Sequence, residues 1–165
     1  MTFKELMNYW KSDYLRHRNF NKHPLHILFF TPGFTYCFYM RLCKYLKTSK
    51  YHIIYIPLFV VCRILLKQYE FRFGIKIPYT TSIGHGLYIG NFGGIVIHPS
   101  SVLGDNITLS RDVTIGPAST GAKKIEGIKV GSNVSIGENA VVTDDLPDNA
   151  IAEGKPARVI AFNKE

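Results

Sequence analysis

Ten aliphatic residues in the second half of the chain stand in three blocks with a constant step of six: Ile77, Ile83 and Ile89, then Ile97, Leu103, Leu109 and Ile115, then Val130, Ile136 and Val142. This step matches neither the helical turn of about 3.6 residues nor the two-residue alternation of a strand. It suits a short strand and a tight corner, repeated three times per turn of a triangular coil, with one aliphatic per hexad pointing inward. Ile107, Val113, Val134 and Ala140 follow four positions after such aliphatics, and glycine recurs in "IGHG", "IGNF", "LGDN", "IGPA", "VGSN" and "IGEN". Small residues there let the chain turn without a clash. The pattern predicts a mainly β protein: a parallel β-helix of hexapeptide repeats over residues 74–165, preceded by a helical N-terminal region over 1–73.

The first half has a helical period. Thr2 can cap a first helix, Pro32 and Gly33 open a run with Phe34, Phe38, Leu42 and Leu46 near four apart, and Pro57 fits the first turn of a helix ending before Gly74. Two or three helices are expected.

At 165 residues and 46% hydrophobic the chain is about one domain's worth. Cys37, Cys43 and Cys62 form no CxxC pair and sit among aromatics, which argues for buried thiols in a reducing compartment, with neither a zinc site nor a disulfide framework. The start "MTFKELMNYWKSDY" lacks the pattern of a secretory signal. The apolar run Ile53 to Cys62 contains Pro57 and ends at Arg63, far short of the roughly twenty residues that cross a bilayer. The expected location is the cytoplasm.

The formal charge of +8 is unevenly placed. Residues 1–76 carry 13 Lys and Arg against 3 Asp and Glu, whereas residues 77–165 carry 7 against 9. The basic half is also the aromatic half, yet it holds no recognisable nucleic-acid module, so nucleic acid is not an expected partner. Two readings stay open: a packed helical cap with a solvated basic face, or peripheral contact of residues 1–73 with the anionic inner face of a membrane.

The repeat loses phase twice. Ile89 to Ile97 is eight residues, so two residues bulge in "GNFGG", and bulges re-aim side chains near active sites. Gly90, Gly93 and Gly94 are expected to allow the turn. Ile115 to Val130 is fifteen, three more than two hexads, and contains "STGAKKIEG", an expected excursion loop that would carry acceptor contacts over residues 119–127. Adding one coil and the bulge places His85 over Asp105 and Asn91 over Arg111.

The stretches "IPYTTSIGHGLYIGNFGGIVI", "SRDVTIGP" and "AEGKPARVI" make the chain similar to the hexapeptide-repeat acyltransferases, in particular to the serine acetyltransferase branch and its shorter relatives in bacterial polysaccharide gene clusters. The resemblance implies a left-handed coil, an acetyl-CoA donor lying between neighbouring coils of a homotrimer, and no metal. It implies donor contacts from Gly116, Gly137 and Thr143, phosphate contacts from Lys155 and Arg158, and acceptor contacts from Asn91, Phe92, Gly93 and Arg111. It also places the catalytic histidine of such enzymes at Asn91 and an aspartate fifteen residues earlier at Lys76. An amide has no proton affinity near neutral pH and cannot replace imidazole as a base. Three readings follow for Asn91: a histidine exchanged for asparagine in this version of the chain, natural loss of catalysis leaving a trimeric binding protein, or another histidine in the role. His85, which an Asp105 pair could orient, and His98, beside Pro99, are the candidates; His17, His23, His26 and His52 precede the repeat and have no spacing argument. Lys76 in place of an acidic residue disfavours free serine as acceptor, so a sugar hydroxyl of a surface polysaccharide or its precursor is the expected acceptor, with serine the alternative.

Overall fold

The computed structural model describes residues 1–18, 24–117 and 127–163, so the expected excursion over 119–127 and His23 lie almost wholly outside the described residues. The helical part has four helices where two or three were expected: α1 (Phe3–His17), α2 (Pro24–Phe30), α3 (Pro32–Thr48) and α4 (Ile56–Phe73). The short α2 escapes the periodicity because seven residues show barely two turns. Thr2 caps α1 in a capping box: its side chain accepts the Glu5 N–H while the Glu5 carboxylate accepts the Thr2 N–H. Pro57 lies in the first turn of α4, and Gly74 closes that helix in the left-handed conformation at φ 63°.

The coil begins at once with β1 (Ile75–Lys76), β2 (Ser82–Ile83) and β3 (Tyr88–Ile89), one strand per face. Its second turn is β4 (Ile95–Ile97), β5 (Val102–Leu103) and β6 (Thr108–Leu109), and its third is β7 (Thr114–Ile115), β8 (Lys129–Val130) and β9 (Ser135–Ile136). β10 (Val141–Val142) and β11 (Ala150–Glu153) extend two faces, and β12 (Arg158–Phe162) folds back antiparallel on β11. The three faces are the parallel stacks β1-β4-β7-β10 and β2-β5-β8, and a third in the order β12-β11-β9-β6-β3.

All ten aliphatics of the six-step ladder are buried, together with Ile107, Val113, Val134 and Ala140. Inward packing of one residue per strand is what the period encodes, and it supplies the core a two-residue strand cannot build alone. The register shows both phase breaks. Ser82 pairs with Val102 and Tyr88 with Thr108, so the first turn is two residues longer than the 18 that separate Val96 from Thr114. β7 and β8 belong to successive faces, so the interval Ile115 to Val130 is one hexad plus nine residues, not two hexads plus three. At one corner column Asn106, Asn133 and Asn149 take φ near 60° and their amides bond up the stack, Asn106 Nδ2 to Asn133 Oδ1 and Asn133 Nδ2 to Asn149 Oδ1, both 3.0 Å. Asparagine tolerates this left-handed backbone better than other side chains.

The first turn of the coil has no turn above it, and helix side chains take up its backbone groups. Tyr36 Oη both donates to Ile77 O and accepts the Ile77 N–H at 3.0 Å, and Arg41 donates to Ile83 O at 2.7 Å and Gly84 O at 2.5 Å. Lys44 donates to Thr81 O, while Ser12, Asp13 and His17 accept the N–H groups of Gly86, Leu87 and Ile89. A buried backbone group left without a partner is costly, so these bonds dock α1 and α3 onto the coil in one orientation. Cys37, Cys43 and Cys62 are buried, as expected of small apolar side chains, and burial pushes the Cys43 thiol up to about 12.

Candidate active site

The bulge residues lead into a cavity of about 330 Å3 lined by Ile89, Gly90, Asn91, Phe92 and Arg111 from the coil and by Thr31, Pro32 and Gly33 from the start of α3. Gly93 and Gly94 have φ of 121° and 61°, which is why glycine stands there. Gly90 is not in the left-handed region, a correction to the expectation that all three glycines serve the turn. Gly93 does not line the cavity; its carbonyl accepts the Asp112 N–H at 2.8 Å, which holds the bulge against the next turn.

Asn91 and Arg111 are stacked neighbours, as the one-coil offset predicts, and Glu138 from the turn below joins them. Asn91 Nδ2 donates to Glu138 Oε1 at 3.3 Å, and Arg111 Nε lies 3.3 Å from Glu138 Oε2. The exposed corner thus carries two donors and one carboxylate. Gly137, one residue earlier, stacks closely on Glu153.

The histidines stand elsewhere. His85 occupies the corner after β2, where its ring stacks on Tyr9 with centroids 4.1 Å apart and Nδ1 lies 3.4 Å from Asp105 Oδ1. His98 follows β4, donating to or accepting from Ser100 Oγ through Nδ1 at 2.7 Å. The pairings of Ile97 with Ile115 and of Ile115 with Val142 continue into a corner column of His98, Gly116 and Thr143, so one candidate histidine and two candidate donor contacts share an edge. Asn91, His85 and His98 therefore belong to three different corners of the prism. His98 does not reach the Asn91 cleft within one chain, because β4 intervenes between the two corners.

Arg158 pairs with Asp144 at 3.2 Å on the surface, and Lys155 is exposed in the turn before it. Lys76 is exposed on β1. Among the described residues no cluster of three His, Cys, Asp or Glu side chains could hold a metal ion.

Sequence reasoning missed Thr31, Pro32, Gly33 and Glu138. The signal for Glu138 was present in "IGEN", one turn from Arg111 on the same corner; the contribution of "TPG" depends on helix docking, which no local spacing reports. It missed His17 too: Nδ1 lies 2.8 Å from Asp13 O and Nε2 accepts the Ile89 N–H, and burial pushes its pKa down, so the imidazole is neutral beneath the cavity floor.

No family model matches the chain. The chain is 31% identical over 155 residues to the serine acetyltransferase of Helicobacter pylori, covering 84% of this chain and 86% of that protein. Among solved structures, a serine acetyltransferase in complex with CoA superposes with a TM-score of 0.69 at 24% identity, over 96% of this chain and 71% of that one. The Neisseria gonorrhoeae serine acetyltransferase in complex with serine gives 0.67 at 24% identity, over 96% of this chain and 68% of that one. The coil is accordingly a left-handed β-helix, preceded by helices.

Proposed function

This chain belongs to the serine acetyltransferase family, and from that premise we propose that it moves an acetyl group from the thioester of acetyl-CoA to the hydroxyl of serine. The similarity to the Helicobacter pylori enzyme over most of both chains carries the reading. Acetyl-CoA as donor is supported by the structural neighbour that holds CoA, and the family resemblance adds a homotrimer whose inter-coil grooves take the donor.

The chemistry needs a donor for the oxygen that becomes negative as the thioester is attacked, and a base for the attacking hydroxyl. Asn91 and Arg111, which line the cavity, are the donors, and the Glu138 carboxylate beside them, 3.3 Å from each, is the group able to take a proton. Lys155 and Arg158 suit the phosphates of CoA, Arg158 after releasing Asp144.

A second reading is favoured by Lys76. An acidic group there would attract the ammonium of serine, whereas lysine repels it, and a neutral sugar hydroxyl of a bacterial surface polysaccharide or its precursor avoids that cost. Thiol release from acetyl-CoA, measured with serine and with a panel of saccharides, separates the two. Release with serine supports the first, release with sugars alone the second, and donor binding without release to any acceptor leaves a binding protein of the same fold.

A further inference from the structure

The outer face of α4 is largely apolar and has no partner among the described residues. At about 100° per residue, Ile56, Val60, Ile64, Phe71, Pro57, Val61 and Leu58 spread over somewhat more than half the helix circumference, an arc that also carries Lys67, Gln68 and Arg72, while Cys62, Leu66 and Phe59 face inward. Ile64 is 54% exposed and Phe71 77%, and the preceding turn adds Ile53 and Ile54 at 70% and 73%. Isolated exposed apolar residues are ordinary, but a helical face this rich in them is not. Lys67 and Arg72 flank the span from Val60 to Val61, and Gln68 lies within it. From Lys47 to Lys76 the chain has six Lys and Arg and a single acid, Glu70, which is paired with Lys67 at 2.8 Å.

We propose that α4 and the turn before it lie in the headgroup region of an anionic lipid bilayer, with Ile53, Ile54, Val61, Ile64 and Phe71 in the acyl boundary and Lys67 and Arg72 at the phosphates. Among the described residues no helix is long and apolar enough to cross a membrane, so the contact is in plane. Charge selects this occupant over a second copy of the chain. Residues 1–76 carry ten more positive than negative side chains, and two such faces brought together would repel, whereas an anionic surface neutralises them. An exposed apolar helix face that carries basic side chains gains from both apolar burial and headgroup attraction.

Flotation of the full chain with vesicles tests this. The protein should float with phosphatidylcholine vesicles that contain phosphatidylglycerol and remain at the bottom with pure phosphatidylcholine. Ile64→Asp should lower the bound fraction roughly tenfold, as the loss of one buried aliphatic implies, and Lys67→Gln about fivefold. Both positions are exposed, and unchanged circular dichroism melts would show that folding is intact. The proposal fails if the protein does not float with anionic vesicles, or if both variants float like the parent. It also fails if Ile64→Asp reduces the sedimenting mass in lipid-free buffer, because the face is then an interface between chains.

Discussion

Asp13 and Arg41 meet as a buried ion pair between α1 and α3, Oδ2 to Nε at 3.2 Å, and each partner also holds backbone of the coil. The Arg41 guanidinium donates to two carbonyls while Tyr9 covers it at 4.3 Å, and Asp13 Oδ1 accepts the Leu87 N–H. Removing one partner strands the other charge away from water. Asp13→Ala should cost about 3–5 kcal/mol of unfolding free energy, read from denaturant midpoints. Arg41→Lys should fall well short of the parent, since one ammonium cannot span a carboxylate and two carbonyls as the planar fork does.

The buried imidazole of His17 makes stability depend on pH. Its folded pKa lies below the ordinary histidine value of about 6.5, so the unfolded chain binds the proton first as pH falls. The stabilisation is complete above about pH 6.5 and is lost below it, down to the folded value. Its surroundings include Arg16 and Asp13 on its own helix and the ring of Tyr88 on the coil. The drop in denaturation midpoint between pH 8 and pH 5 should be visibly smaller in His17→Gln; an equal drop in both proteins would refute the assignment.

Gly33 is a point of close approach between α3 and the coil. A β-carbon there would collide with the carbonyl oxygen of Ile89 and lie 2.9 Å from its Cβ. Backbone cannot yield as a side-chain tip can, so Gly33→Ala should destabilise by about 1–3 kcal/mol. Because Gly33 also walls the Asn91 cavity, acetyl-CoA binding measured by calorimetry should weaken in parallel.

Restoring an imidazole at the bulge tests the chemistry directly. Asn91→His should raise the rate of thiol release by about 100-fold or more and introduce an ionisation near neutral pH into the rate profile. The carboxylate of Glu138, now 3.3 Å from the Asn91 amide nitrogen, is placed to orient that ring, so adding Glu138→Gln should surrender part of the gain. If Asn91→His binds acetyl-CoA and stays inert, the protein is a binding module.

The coil was legible because its constraint is periodic: each inward aliphatic must recur at the same place on each face, and all ten do. The stacking of His85 on Asp105 and of Asn91 near Arg111 followed from arithmetic alone, since a fixed rise turns sequence offset into spatial adjacency. The helical cap obeys no such rule. Where Arg41, Asp13, Ser12 and His17 dock depends on how two helices lie across the coil, which leaves no mark in local spacing. The same applies to the cavity, three of whose eight lining residues are Thr31, Pro32 and Gly33. The length of the second interruption was misjudged because six-step counting does not say which face a strand belongs to.

The side chains that take up the backbone of the first turn have a consequence beyond anchoring. A stack of parallel rungs is a template at its ends, where unpaired amides and carbonyls could recruit another molecule and grow into a fibril. Tyr36, Arg41, Lys44, Asp13, Ser12 and His17 occupy those groups at the leading end, and the reversed strand β12 borders one face near the other. The helices of this chain are thus a stopper as much as a platform, and loosening them would be felt first as polymerisation.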